Sequence, residues 1–171
     1  MKLTVLCDNM AGGKFQAEHG ISYLIEYENE SVLFDTGHSD VYLKNAAAIG
    51  INLQEQVNAI VLSHGHWDHG NGLQYIYNKT LITHPSAFIK RYRKTDNSYI
   101  GLSLFKTNIR QRFQCVETKE PYYIHKHIIY LGEIPRVLDF ESQQASFMDE
   151  KGVDDFVPVD SALAIIKDDA L

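Results

Sequence analysis

Four side chains able to hold a cation crowd into six positions: His64, His66, Asp68 and His69, within the run Ser63-His64-Gly65-His66-Trp67-Asp68-His69-Gly70. Imidazole nitrogen and carboxylate oxygen together suit one or two divalent ions, zinc foremost, with manganese and iron as alternatives. A lone histidine would be assigned to a surface loop. A His-x-His-x-Asp-His cluster has few uses other than metal binding. A metal held there lowers the pKa of bound water toward about 7 and yields hydroxide as a nucleophile. Asp68, the candidate catalytic residue, is placed to hold that hydroxide and shuttle its proton. The electrophile would be an ester, phosphoester, lactone or amide carried by a small molecule, with an anionic one as an option.

These donors need a particular scaffold. A helix cannot gather all four, because residues two apart face different directions. A sharp loop at the carboxyl end of a buried strand can, and the apolar run Ala59-Ile60-Val61-Leu62 leads straight into the motif. Strand ends of α/β sheets are also where ligand sites collect. Gly65 and Gly70 are expected to supply the backbone freedom of the loop.

The remaining elements are coarser. Leu3 to Cys7, Ile21 to Tyr27 and Ser31 to Phe34 read as strands, the last two joined by the polar hairpin connection Glu28-Asn29-Glu30. A helix capped by Ser39 or Asp40 runs to about Ile49, and Gly50 ends it. Leu73 to Tyr77 is expected to be helical and Leu81 to Thr83 a strand; Tyr122 to Leu131 and Ser161 to Lys167 are further strands. The segment 85–135 is polar, basic and aromatic in its first part, and is expected as an insertion lining a cleft. The order of elements specifies a single layered α/β domain over residues 1–171.

Composition narrows the classes. A net charge of -6 argues against a nucleic-acid surface, which needs a basic stripe. Lys90, Arg91, Arg93, Lys94, Lys106, Arg110 and Arg112 form a local basic patch whose simpler reading is a solvated face. Cys7 and Cys115 form no CxxC motif. No apolar run approaches a membrane span or a signal peptide, so the default location is the cytoplasm.

The histidine run resembles that of the metallo-β-lactamase superfamily. Glu18-His19-Gly20-Ile21-Ser22, Leu33-Phe34-Asp35-Thr36-Gly37, His84-Pro85-Ser86-Ala87-Phe88 and Gly132-Glu133-Ile134-Pro135-Arg136 further resemble metal-dependent hydrolases of the dihydropterin ribofuranosylaminobenzene phosphate synthase-like subfamily. The resemblance implies an αββα sandwich, here its N-terminal half with an inserted subdomain. It implies that His64 and His66 bind a first metal and Asp68 and His69 a second. It places Asp35 behind the ligands, orienting them, with a turn-forming Asp as the alternative. His19, His84 and Arg136 are implied substrate contacts; packing, a pre-proline turn and a surface arginine are their respective alternatives.

The resembled family continues past the strand matching Ser161 to Lys167 into a Gly-Cys-Ser-His segment whose histidine completes the first metal site, and a later histidine completes the second. Here Ala162 to Ile166 meets the turn-like Asp168-Asp169, as if a hairpin lacked its second arm. The expectation is a truncated chain, with a fragment or completion by oligomerisation equally open; a homo-oligomer would cover an apolar sheet face left exposed. His19, His38 or His84 are alternatives for a third ligand. Two other functions stay open: a catalytically impaired metal-binding or partner module, and a di-iron redox protein.

Overall fold

A computed structural model of the chain describes residues 1–135, 137, 144–156 and 160–167. Arg136 and the pair Asp168-Asp169 lie outside the described residues. Three antiparallel strands open the fold: β1 (Lys2–Cys7), β2 (Ser22–Tyr27) and β3 (Glu30–Phe34). Two helices follow, α1 (Val41–Ala48) and the single turn α2 (Leu53–Gln56). Strand β4 (Ala59–Val61) then lies parallel to β3. The motif begins beyond β4 and contains the short helix α3 (Trp67–Gly70), continued by a 3-10 turn at Asn71–Gln74. Strand β5 (Thr80–Thr83) runs parallel to β4.

The segment 85–135, expected as an insertion lining a cleft, is shared among three sheets. Strand β6 (Arg91–Arg93) stands apart, whereas helix α4 (Lys106–Arg112) leads into β7 (Gln114–Glu117), which pairs in parallel with β5. Strands β8 (Tyr122–His125) and β9 (Ile128–Tyr130) make a hairpin. Later come β10 (Phe147–Asp149), β11 (Asp154–Asp155) and β12 (Leu163–Ile165). The main sheet has the order β1-β2-β3-β4-β5-β7, and two three-stranded sheets have the orders β11-β10-β6 and β12-β9-β8.

Alternation along the strands sorts the core into two sides. Leu33, Ile60, Leu62 and Leu81 pack under the helices with Tyr42, Leu53, Leu73 and Ile109. Val32, Ala59, Val61 and Ile82 face the other way, onto Ile128 and Tyr130 of β9. The result is helices, a six-stranded sheet and a small sheet, in layers. Each fully buried Leu or Ile contributes roughly 1.5–3 kcal/mol of transfer free energy, so this two-sided burial is what holds β4, and the loop after it, in place.

Strand β12 does find a partner, pairing antiparallel with β9 so that Ile165 lies opposite Ile128. On the β1 side of the sheet Leu3 and Val5 remain more than half exposed. The basic patch is spent on local pairs: Lys90 with Glu150, Lys94 with Asp154, Arg93 with Asp96, and Lys106 and Arg110 with Glu117. Among the described residues no helix is long and apolar enough to cross a membrane.

Candidate metal centre

The loop after β4 is anchored before it reaches its histidines. Asp35, at the end of β3, is fully buried and adopts the left-handed region at φ 55°, a conformation that costs a non-glycine residue energy. Its Oδ1 accepts the backbone N–H of Ser63 at 2.8 Å and its Oδ2 accepts the Ser63 hydroxyl at 2.7 Å. The same Oδ2 accepts from Nδ1 of His69 at 2.8 Å. A parallel neighbour strand thus delivers one carboxylate that fixes both ends of the motif.

Backing carboxylates decide which ring nitrogens carry protons. Nδ1 of His69 faces Asp35, so it is the donor and its Nε2 keeps the lone pair. Nδ1 of His64 lies 3.0 Å from the Ser63 hydroxyl and 3.3 Å from Oδ1 of Asp160. It too is the donor, which leaves the Nε2 lone pair of His64 facing Nδ1 of His66 at 3.0 Å. Two imidazoles on one tetrahedral zinc hold their nitrogens about 3.3 Å apart. His66 is buried, and its Nε2 has no hydrogen-bond partner among the described residues.

Electrostatics keep one ring neutral. Burial, reinforced by the electrostatic influence of the His64, Arg91 and His69 side chains beside it, lowers the pKa of His66 from 6.5 to about 3. At His69 burial also opposes the charge. There the hydrogen bond and charge of Asp35, with Asp68 and Asp160, outweigh it, and the pKa lies above the ordinary histidine value.

Asp68 sits at the start of α3 and is drawn outward. Its Oδ2 is 3.2 Å from Nε2 of His19 and 3.9 Å from Nε2 of His69. His19, expected as a substrate contact, is exposed, and its Nδ1 meets Oδ1 of Asn9 at 3.1 Å. Trp67 lies between His19 and His38, with ring centroids 5.5 and 4.6 Å away. The structure therefore sets the His64 ring against both His66 and His69, with centroids 4.5 and 4.1 Å away, and brings Asp68 Oδ2 to 3.9 Å from Nε2 of His69. Among the described residues, no three His, Cys, Asp or Glu side chains surround one point. His84 is 2% exposed and committed on both nitrogens, Nε2 to Glu133 at 3.0 Å and Nδ1 to the N–H of Ser86.

The glycines of the loop serve another purpose than expected. Neither Gly65 nor Gly70 has a positive φ. A Cβ on Gly65 would lie 1.6 Å from the Ala87 carbonyl oxygen, and one on Gly70 would lie 2.6 Å from Leu102. Both positions need the absence of a side chain for close packing. Three contributors were missed from sequence: Ser63 as the bridge, Asp160 behind His64, and Phe147, whose ring lies 4.8 Å from that of His66. Asp160 arrives because the N–H of Ser161 donates to the Ser63 carbonyl at 3.1 Å.

Comparison with known proteins follows the same lines. The profile of the metallo-beta-lactamase superfamily matches residues 17–103. An uncharacterised protein of Methanocaldococcus jannaschii is 37% identical over 148 residues, covering 83% of this chain and 57% of its own length. The 7,8-dihydropterin-6-methyl-4-(beta-D-ribofuranosyl)-aminobenzene-5'-phosphate synthase of the same organism is 28% identical over 151 residues, covering 78% of this chain and 51% of its own. A crystal structure of a metal-dependent hydrolase of the beta-lactamase superfamily superposes with a TM-score of 0.82 at 30% identity, covering 97% of this chain and 61% of that one.

Proposed function

Since the chain belongs to the metallo-beta-lactamase superfamily, we propose that it is a metal-dependent hydrolase whose centre is built on His64, His66, Asp68 and His69. The supporting observation is the carboxylate-set tautomers, which turn the Nε2 lone pair of His64 onto His66 at 3.0 Å. His64 Nε2 and His66 Nδ1 would hold one divalent ion; Asp68 and His69 Nε2 would hold a second. Zinc suits this donor set best. A bound ion supplies Lewis acidity, lowering the pKa of water toward about 7 and polarising a carbonyl or phosphoryl oxygen.

The chain's own groups do the rest. Asp35 fixes the orientation of His69 and of the Ser63 turn. Asp68 Oδ2 takes a proton released at the centre and passes it 3.2 Å to Nε2 of His19, whose exposed ring returns it to solvent. His66, neutral above about pH 3, keeps its lone pair at every working pH. Substrates in this reading are small esters, phosphoesters, lactones or amides. The chain spans 51–61% of the length of these relatives.

The test is turnover of a panel of phosphodiester, lactone and ester substrates after loading with zinc, manganese or iron. Hydrolysis that disappears in His64→Ala is expected. Equal inertness of the native chain and His64→Ala with all three metals removes the hydrolase. A second reading, a metal-binding module without turnover, is favoured because among the described residues no three such side chains surround one point. It predicts zinc binding, followed by calorimetry, with no hydrolysis of any member of the panel.

A further inference from the structure

Arg91 lies at the base of the loop, fully buried, and its guanidinium donates to Asp155 and to backbone carbonyls. Its Nε donates to Oδ2 of Asp155 at 2.6 Å, its Nη2 to the Ser86 carbonyl at 2.9 Å and its Nη1 to the Ala87 carbonyl at 3.2 Å. The Ala87 carbonyl is the group against which Gly65, between His64 and His66, is pressed. The backbone makes a second tether: the N–H of Ile100 donates to the Arg91 carbonyl, and the Ile100 carbonyl accepts from Trp67. Asp155 belongs to β11, and its partner across the ladder is Phe147, which packs on the His66 ring. One buried ion pair therefore joins three surfaces that touch the loop.

We propose that Arg91, held by Asp155, is the positioning residue of the centre: its guanidinium fixes the Ala87 carbonyl under Gly65 and so sets the His64–His66 pair. The inference rests on the metal-centre reading above. A buried ion pair is often replaceable by apolar residues at little cost in stability, whereas a planar guanidinium that donates in three directions is not replaced by a point charge. Stability and positioning are therefore separable.

The experiment compares the native chain, His64→Ala, the double variant Arg91→Met/Asp155→Leu, and Arg91→Lys. Zinc is titrated by calorimetry, cobalt is added as a spectroscopic probe, and unfolding is followed in urea. The expected double variant unfolds near the native midpoint. Its zinc affinity falls by about 10- to 100-fold, as for other residues that orient ligands, and its cobalt absorption bands shift. Arg91→Lys is expected to show the same loss and decides the matter if the double variant does not fold. Native zinc affinity and an unchanged cobalt spectrum in whichever of the two variants folds overturn the proposal. A native chain that binds no zinc is a different outcome: it removes the metal centre itself, and this inference with it.

Discussion

Two carboxylates stand behind the histidines of the loop, and they enter the molecule by opposite routes. Asp35 comes from β3, the strand beside the loop's own β4, is fully buried, and accepts from Ser63 and His69 together. Asp160 comes from the segment before β12, has a side chain 57% exposed, and reaches His64 at 3.3 Å. The first is part of the core that forms the loop. The second leans on a loop already formed. Orientation of a ligand can thus be a property of the fold or an addition to it, and the two should respond differently to the same chemical change.

The contrast is most exposed at Asp35. Asp35→Ala leaves two Ser63 donors and the His69 donor buried without an acceptor, so a loss of about 3 kcal/mol or more is expected in urea unfolding. Asp160→Asn should leave unfolding within about 0.5 kcal/mol of native, as for a solvent-exposed substitution, while weakening zinc binding about tenfold in calorimetry. Equal stability losses at the two sites would erase the distinction.

Acid sharpens it further. Between about pH 3 and 6.5 the unfolded chain protonates a histidine at position 66 and the folded chain does not. Stability of the metal-free protein contributed by this ring is therefore whole above pH 6.5 and is lost as pH falls toward 3. His69 acts in reverse: its raised pKa stabilises the fold below about pH 6.5 and that gain is lost as pH rises through the folded value. Urea midpoints at pH 7 and pH 4.5 should drop for the native chain and flatten in His66→Gln. An identical drop in the variant contradicts the burial of His66. The smallest effect is expected at His19→Ala: unchanged zinc affinity, and a modest fall in turnover that is confined to low buffer concentration, where proton removal depends on the relay from Asp68.

The same division governs what could be read in the residue order. The motif at the end of a doubly buried strand is a local pattern, and Ala59 to Leu62 announce it by apolarity alone. So do the β2–β3 hairpin and the helix ended by Gly50, whose φ is 80°. Asp160 carries no such signal, because it is brought to His64 by a hydrogen bond between residues 63 and 161. Strands β10 and β11 hide in an acidic stretch where the pairing partner, not the pattern, makes the strand. Gly65 was legible as special but for the wrong reason: it is required by the Ala87 carbonyl beneath it, a neighbour 22 positions away whose proximity only the fold reveals.

That carbonyl limits how the loop can diverge. Position 65 admits no side chain, position 70 almost none, position 63 holds the bridge to Asp35, and positions 64, 66, 68 and 69 carry the candidate metal donors. Trp67 is left as the half-buried member of the run whose identity is dictated neither by backbone crowding nor by a donor role, and it looks outward between His19 and His38. Selection acting on this loop, natural or in the laboratory, has one letter to rewrite, and libraries meant to retune what the protein accepts should begin at residue 67.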